Sequence, residues 1–220
     1  MSQPQFRHDV AAAAVRLYAE QGYEATSAEQ VAAAAGLSRS TFFRQFRSKE
    51  DVVFADHDAL LEEAEAYLAA DHSDPWEAVC GAAQLVFAHF EEERDLAQLR
   101  YQVVNREPGL REKELVTTFR YEGLFERYLV SAVPGLEPLD AVRFAATIVA
   151  THNYCLRELM RGEAGMDGER LRRELDVVRR LFRVLPGEAG EDVVVAVFPR
   201  STAPVEIVRR IRDTLESSGT

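Results

Sequence analysis

Basic and small polar side chains cluster between residues 38 and 49, a composition that can form hydrogen bonds with nucleic acid. The cations are Arg39, Arg44, Arg47 and Lys49, and no acidic residue interrupts them. Arginine can donate two hydrogen bonds to guanine O6 and N7, and glutamine can pair in a similar way with adenine. This stretch therefore predicts a DNA-binding surface. Its exposed side chains are expected to be Arg39, Ser40, Arg44 and Gln45, with Thr41 near the phosphate backbone.

The charge distribution is compatible with that surface, although the chain as a whole is acidic. The formal net charge is −11, but residues 1–55 carry six basic and six acidic side chains. The remainder of the chain therefore carries the whole excess of acid. DNA affinity depends on cations close to the phosphates rather than on the total charge of the protein. An acidic total does not exclude DNA binding.

The elements that would position this surface are short helices. Apolar residues at helical spacing from Val10 to Tyr18 predict a first helix, and Gly22 is suited to end it. Thr26 and Ser27 are both N-cap candidates for a second helix, because each has a capping-box partner three residues later. Ser38 is predicted to cap a third helix that ends near residue 44. A fourth helix is expected from residue 49 to residue 69.

Two short helices joined by a glycine-containing turn, here Gly36-Leu37, are typical of a helix-turn-helix. In such a motif the second helix enters the major groove while the first crosses the backbone. Apolar residues of this segment are expected to form a small core with the first helix. They are Val31, Ala34, Ala35, Leu37, Phe42 and Phe46.

This segment resembles the DNA-binding signature of the TetR/AcrR family over about the first quarter of the chain. The matching residues are Gly22-Tyr23, Thr26-Ser27, Val31-Ala32, Ala35-Gly36-Leu37-Ser38, Thr41-Phe42-Phe43-Arg44-Gln45-Phe46 and Ser48-Lys49-Glu50-Asp51. The resemblance implies a homodimeric repressor of a palindromic operator. It also implies that a ligand bound in the body moves the fourth helix and the attached head, so that the operator is released.

The resemblance assigns roles to individual residues as well. Lys49 matches a lysine that contacts phosphate in the family, and Thr41 matches a frequent backbone contact. Phe43 stands where the family usually has a tyrosine that donates to a phosphate, so we expect Phe43 to pack instead. Ser40 replaces a common glycine and can itself reach a phosphate or base. The complete set of candidate DNA contacts is Thr26, Ser27, Arg39, Ser40, Thr41, Phe43, Arg44, Gln45 and Lys49.

The rest of the chain predicts an all-α body with helices at about 75–92, 94–106, 110–132, 138–163 and 168–185. Residues 141–150 are apolar almost all round, and such a helix must be covered on both sides. The next helix has an apolar stripe at Leu171, Leu175, Val178, Phe182 and Leu185. Two such helices from each subunit could form a four-helix interface, although both stripes could instead serve one monomeric core. A dimer is favoured because two heads fit half-sites about 34–36 Å apart.

A small-molecule site is expected between the central helices of the body. Its aromatic residues outnumber the polar ones, so the effector is predicted to be apolar or amphipathic, with Arg100, Arg120 or His152 as polar anchors. Each candidate could alternatively be an ordinary core or surface residue. The candidates are Trp76, Phe87, Phe90, Arg100, Tyr101, Phe119, Arg120, Phe125, His152, Asn153 and Tyr154.

The chain is expected to divide into a head at 1–50, a ligand-binding and dimerisation domain at 51–187 and an extension at 188–220. In the extension, Val193 to Phe198 reads as a short strand and Pro204 as the start of a helix. That strand could pair with its twin across a dimer axis or belong to a mobile tail. No membrane span is expected, and two distant cysteines favour reduced thiols in a cytoplasm.

Other classes of function are weaker interpretations of the sequence. The five histidines form no HExxH motif, neither GxSxG nor a phosphate-binding loop is present, and no cofactor or metal site is expected. Asp56-His57-Asp58 is interpreted as a solvated helix face, because neighbouring helical residues point about 100° apart. Two alternatives remain: a small-molecule-binding helical protein with weak enzymatic activity, and a protein-binding regulator with a non-functional DNA head.

Overall fold

A computed structural model describes residues 3–184 of the chain, and all regular secondary structure in this range is α-helical. The head contains α1 (Gln3–Gln21), α2 (Ala28–Ala34), α3 (Arg39–Gln45) and α4 (Lys49–Val53). The body contains α5 (Ala55–Leu68), α6 (Pro75–Glu92), α7 (Arg94–Arg106), α8 (Pro108–Ala132), α9 (Pro138–Arg161) and α10 (Gly168–Leu181). The strand predicted at 193–198 and the helix after it lie outside the described residues.

The head forms because short helices with good caps share one apolar core. Ser27 and the side chain of Gln30 make a reciprocal capping box at the start of α2. The turn into α3 contains Gly36, whose φ of 68° is a conformation that favours glycine. Val31, Phe42 and Phe46 are buried against α1 as predicted. Ala34, in contrast, is exposed and is not part of this core, which corrects the prediction for that residue.

The predicted fourth helix is not continuous. It is broken at Phe54, whose φ of −114° and ψ of 17° are not α-helical. Val52 and Val53 before the break are buried in the head, whereas the Phe54 ring lies 5.8 Å from the ring of His57 in the body. The break thus lets the chain pass from one packing environment to the next. The expectation of a single helix over 49–69 was therefore wrong at this residue.

The body helices begin and end within two residues of the predicted boundaries, except that α10 ends at Leu181 rather than near residue 185. Helix α9 packs against α6, α7, α8 and α10. Phe144, Ile148 and Leu159 of α9 are fully buried. Gly162 ends α9 in the left-handed conformation, and the Asp167 side chain caps α10. With α9 at the centre of the body, space for a ligand remains among helices α5 to α9.

Apolar side chains also remain exposed on the other side of α9 and α10. They include Leu139 and Tyr154 on α9 and Val177 and Leu181 on α10, and each is at least 40% exposed. Phe182 packs on Phe144, whereas Leu185 lies outside the described residues. None of the helices between residues 3 and 184 combines the length and hydrophobicity that a membrane span requires.

Candidate DNA-binding surface and buried cavity

Helix α3 is held so that one face is buried and the other points to solvent. The Ser38 hydroxyl accepts a hydrogen bond from the Thr41 amide at 3.1 Å and so fixes the first turn. Phe42, at 0% exposure, and Phe46 anchor the inner face. As predicted, the side chains on the other face are outside the core. Arg39, Ser40 and Arg44 are exposed, and Thr41 and Gln45 are half-buried.

Phe43 does not pack as expected, because 44% of it is exposed. Its ring meets the edge of Phe42 at 5.4 Å, and the Arg39 guanidinium lies 5.7 Å from its centre. Phe43 therefore contributes an apolar patch to the outer face of α3. It also supports Arg39 on that face.

The cations around α3 differ in how they are engaged. Arg39 forms an exposed ion pair with Glu29 of α2, with a nitrogen–oxygen distance of 3.2 Å. Arg44 and Arg47 are exposed, and among residues 3–184 no carboxylate pairs with either of them. Since exposed ion pairs contribute little, Glu29 is a weak competitor for Arg39. These three guanidinium groups give the outer face a local positive charge.

Lys49 is the first residue of α4, and its side chain reaches the turn before α2. Its ammonium group donates hydrogen bonds to the backbone oxygens of Tyr23, at 2.9 Å, and of Thr26, at 3.2 Å. Thr26 itself is buried, and its hydroxyl donates to the Gly22 carbonyl at 2.7 Å. The Thr26 side chain thus holds the turn and neither caps α2 nor reaches the surface, contrary to the sequence-based assignment. Ser27 is exposed, but its hydroxyl is engaged in capping α2.

A cavity of about 190 Å³ lies in the body and is lined by α5 to α9 together with Phe54. Six of the predicted ligand-contacting residues do line it. They are Phe90, Arg100, Tyr101, Phe125, His152 and Asn153. Further residues line the cavity that were not predicted from the sequence, among them Phe54, His57 and Tyr121. Tyr121 was accessible to sequence reasoning, because it lies one helical turn before Phe125 on the same face of α8.

The other five candidates lie outside the lining. Trp76 packs on Phe144 with ring centres 4.8 Å apart, and Phe87 is fully buried behind His152. Phe119 and Tyr154 are 66% and 58% exposed, since each is two residues from an inward-facing position and points about 200° away from it. Arg120 instead pairs with Asp58, at 2.6 Å.

The interpretation of residues 56–58 as a solvated helix face was wrong for Asp56 and for His57, which lines the cavity. Asp56 is 2% exposed, and Arg100 donates to one of its carboxylate oxygens at 2.5 Å. Burial alone would raise the pKa of Asp56, but the adjacent Arg100 guanidinium holds that pKa well below its usual range. A buried carboxylate needs such a partner. One residue of the polar run Asp56-His57-Asp58 therefore belongs to an interior ion pair.

Two histidines and one tyrosine of the cavity lining are uncharged at neutral pH, whereas Glu114 and Arg157 also line the cavity but are exposed to solvent. Burial lowers the pKa of His57 and of His152 to about 4 in each case. Burial also raises the pKa of Tyr121 above its usual value, so its hydroxyl stays protonated. The interior of the cavity thus combines aromatic walls, neutral polar groups and one compensated ion pair.

His8, Asp56 and His89 place three potential metal-ligand atoms within 4.8 Å of one another. Arg100 already neutralises Asp56, and its positive charge opposes a cation at the same carboxylate. The cluster joins α1 of the head to α5 and α6 of the body. We assign it a role in holding these helices together.

The described part of the chain has the architecture of a helix-turn-helix head followed by a helical bundle. In the head, a capped seven-residue helix presents arginines outward, and the body contains a cavity. Residues 10–55 match the family model described as bacterial regulatory proteins, tetR family. The head of this chain is thus similar to that family, in agreement with the resemblance found in the sequence.

Similarity to individual proteins supports this assignment. The chain is 32% identical over 141 residues to the HTH-type transcriptional regulator TcmR of Streptomyces glaucescens, covering 59% of this chain and 61% of TcmR. It is 30% identical over 98 residues to the HTH-type transcriptional regulator HbdR of Aromatoleum sp. (strain CIB), covering 43% of each. The alignments thus span less than two thirds of either relative.

Solved structures share the fold. The complex of SmeT with triclosan superposes with a TM-score of 0.62 at 21% identity, covering 89% of this chain and all of the SmeT chain. The fatty acid degradation regulator FadR from Bacillus halodurans gives 0.57 at 20% identity, with 82% and 98% covered. These likenesses confirm the all-α architecture of a helix-turn-helix head and a helical bundle.

Proposed function

We propose that this protein is a ligand-responsive transcriptional regulator, acting as a homodimeric repressor of a palindromic operator. The outward face of α3 carries this proposal, because its exposed Arg39 and Arg44 stand where base edges would be met. The named functions of TcmR and HbdR support it. Neither alternative, an enzyme or a regulator without DNA binding, has comparable support.

Within α3 and its flanks, we propose two kinds of DNA contact. Arg39, Arg44 and Gln45 would read base edges in the major groove, while Ser40, Thr41 and Ser27 would approach the phosphates. Phe43 is placed to contact a thymine methyl group, since its ring is exposed beside Arg39. Lys49 would offer its remaining N–H to a phosphate while its other two hold the turn.

We propose that a second copy of this chain covers the exposed apolar faces of α9 and α10. Five large apolar side chains would otherwise remain in water on these two helices: Leu139, Val142, Tyr154, Val177 and Leu181. A twofold dimer built on them would place two heads for two half-sites. The expected division into domains at residues 50 and 187 is part of this proposal.

The effector is proposed to be a small apolar or amphipathic molecule held in the cavity. The complex of SmeT with triclosan shows that a protein of this fold holds a small molecule. In this chain, the cavity wall is linked to the head by Phe54 at the α4–α5 break. Ion pairs between Lys113 and Asp51 and between Arg120 and Asp58 join α8 to α4 and α5. A ligand that shifts α8 would therefore move α4.

The test is selection of DNA fragments from the source genome by the full-length protein, followed by binding measurements on the selected duplex. The variant Arg44→Ala/Arg47→Ala should lose binding at least tenfold. Arg127→Ala on the exposed surface of α8 is the control for removal of a positive charge, and it should bind like the wild type. Failure to enrich any fragment would contradict the proposal.

We further propose a cytoplasmic location, in which Cys80 and Cys155 stay reduced.

A further inference from the structure

We infer that the cavity selects a hydroxyl-substituted aromatic molecule of one or two rings, and that it discriminates against aromatic carboxylates. This inference rests on the proposed function only in taking the cavity as the effector site. It names the class of effector, which the overall apolar character of the cavity does not specify.

The size and the walls of the cavity define the aromatic part of the ligand. An apolar cavity of about 150 Å³ is enough to hold benzene. The present volume of about 190 Å³ therefore accommodates a small ring system without large movements. Rings of Phe54, Phe90, Tyr121 and Phe125 stand around it. Aromatic side chains pair with ligand rings edge-to-face or in offset stacks, which favours a flat ligand over a branched aliphatic one.

Polar atoms of the lining that have no hydrogen-bond partner define the polar part of the ligand. The hydroxyl of Tyr121, Nε2 of His152, Nδ1 of His57, and Nε and Nη1 of Arg100 are buried, and within residues 3–184 none has a hydrogen-bond partner. Leaving such a group unsatisfied is costly, and buried polar groups are nearly always paired. Several orphaned atoms around one cavity indicate that a polar group of the ligand completes their hydrogen bonding.

The network around His152 shows which kind of group is missing. The Thr118 hydroxyl donates to the Glu114 carbonyl at 3.1 Å, so it accepts from the amide nitrogen of Asn153 at 3.4 Å. The amide oxygen of Asn153 is thereby turned toward Nδ1 of His152, 3.2 Å away. Neutral His152 must then carry its proton on Nδ1, which leaves Nε2 as a pure acceptor. The ligand therefore needs a donor for Nε2.

Tyr121 and Arg100 require a hydrogen-bond acceptor on the ligand. The Tyr121 hydroxyl is protonated and the two free nitrogens of Arg100 are donors, so they call for an acceptor oxygen. A phenolic hydroxyl donates and accepts at the same atom, whereas a carboxylate only accepts. The charge of Arg100 is already compensated by Asp56, and both histidines are neutral. Arg157 also lines the cavity but is exposed to solvent, so a carboxylate buried beside Tyr121 and His152 would have no unpaired cation next to it, and its desolvation would not be offset.

The test is calorimetric titration of the full-length protein with three naphthalene derivatives that share one ring system. The derivative 2-naphthol has the hydroxyl, 2-methoxynaphthalene keeps the oxygen but loses the donor, and 2-naphthoate carries a carboxylate. We expect 2-naphthol to bind about tenfold more tightly than either of the others. Equal binding of all three, or tighter binding of 2-naphthoate, overturns the inference while leaving the cavity as a ligand site. Absence of binding by all three overturns the cavity site as well.

The variant Tyr121→Phe removes one hydroxyl and keeps the ring. It should weaken 2-naphthol about fivefold, as loss of a neutral hydrogen bond predicts, and weaken 2-methoxynaphthalene to a similar extent, because that ligand keeps the oxygen that accepts from Tyr121. Tyr128→Phe makes the same chemical change on α8, outside the cavity lining and the proposed dimer faces, and should have no effect on either ligand. Unchanged 2-naphthol affinity in Tyr121→Phe would contradict the assigned contact. Operator binding by the wild type and by Tyr128→Phe, measured without ligand, should be equal and reports separately on the proposed function.

Discussion

The Lys49 ammonium group donates to the backbone oxygen of Tyr23 at 2.9 Å and lies 4.0 Å above the centre of the Tyr23 ring. The same group reaches the backbone oxygen of Thr26. Tyr23 in turn donates from its hydroxyl to Glu50, the residue after Lys49. One lysine therefore fastens the start of α4 to the turn between α1 and α2. A residue that the sequence assigns only to phosphate contact also has a structural role.

The variant Lys49→Met should reveal both roles. Loss of two hydrogen bonds from a charged donor should reduce the free energy of unfolding by about 1–3 kcal/mol, measured by urea denaturation. If the third N–H meets a phosphate, affinity should fall alike for all DNA sequences, and the salt dependence should lose about one unit of log–log slope. A lower stability with an unchanged slope would show that Lys49 is structural only.

Arg44 should contribute to sequence specificity rather than to general affinity. Its side chain is exposed on α3, with no acidic partner among the described residues. If it reads a base, Arg44→Ala should cost about 1–3 kcal/mol on the preferred operator and little on duplexes altered at that position. Competition binding with single-base operator variants measures this. A uniform loss across all duplexes would instead assign Arg44 to the phosphates.

The Asp56–Arg100 ion pair should be essential for folding of the body. Both side chains are at least 95% buried, so removal of one partner leaves a buried charge without compensation. Asp56→Ala should therefore lower the free energy of unfolding by about 3–5 kcal/mol. The double variant Asp56→Leu/Arg100→Met removes both charges and should be more stable than Asp56→Ala. A single variant within 1 kcal/mol of the wild type, by denaturant unfolding, would refute this.

Stability should fall as the pH is lowered from about 6.5 to about 4. In the folded state, burial lowers the pKa of His57 and His152 to about 4, whereas in the unfolded chain both titrate near 6.5. The unfolded state thus binds more protons in this window, and stability rises with pH across it. Across this window, each histidine should lower the free energy of unfolding by about 3 kcal/mol.

The measurement is the free energy of unfolding as a function of pH for the wild type and for His152→Leu. The wild type should change by about 1.4 kcal/mol per pH unit for each histidine within the window. His152→Leu should lose half of that slope, and its stability above pH 7 serves as the internal reference. An identical pH profile in both proteins would show that His152 does not titrate as a buried group.

Local signals in the sequence predicted much of this fold. Capping residues such as Ser27 and Ser38, together with apolar periodicity, located nearly every helix, because helix ends and amphipathic faces are encoded within a few residues. The break at Phe54 was not predicted, since it depends on two cores that compete for neighbouring residues. Ala34 was misplaced because alanine gives little signal for or against burial.

The cavity was predicted less well than the helix-turn-helix, and the reason is long-range packing. Arg100 and Asp56 are 44 positions apart, and Asp56 resembles a surface residue until α7 covers it. Phe119 and Tyr154 were chosen by residue type, although their helical phase directs them outward. Analysis of phase relative to Phe125 and His152 would have excluded both. It would also have included Tyr121.

The central claim is that α3 presents arginines to DNA, and the salt dependence of operator binding tests it most directly. We predict that the full-length protein loses affinity steeply with salt, with a log–log slope of about −0.9 for each phosphate neutralised. The triple variant Arg39→Ala/Arg44→Ala/Arg47→Ala should bind weakly and show a much smaller slope, while Arg127→Ala should match the wild type. Wild-type affinity and slope in the triple variant would contradict the account.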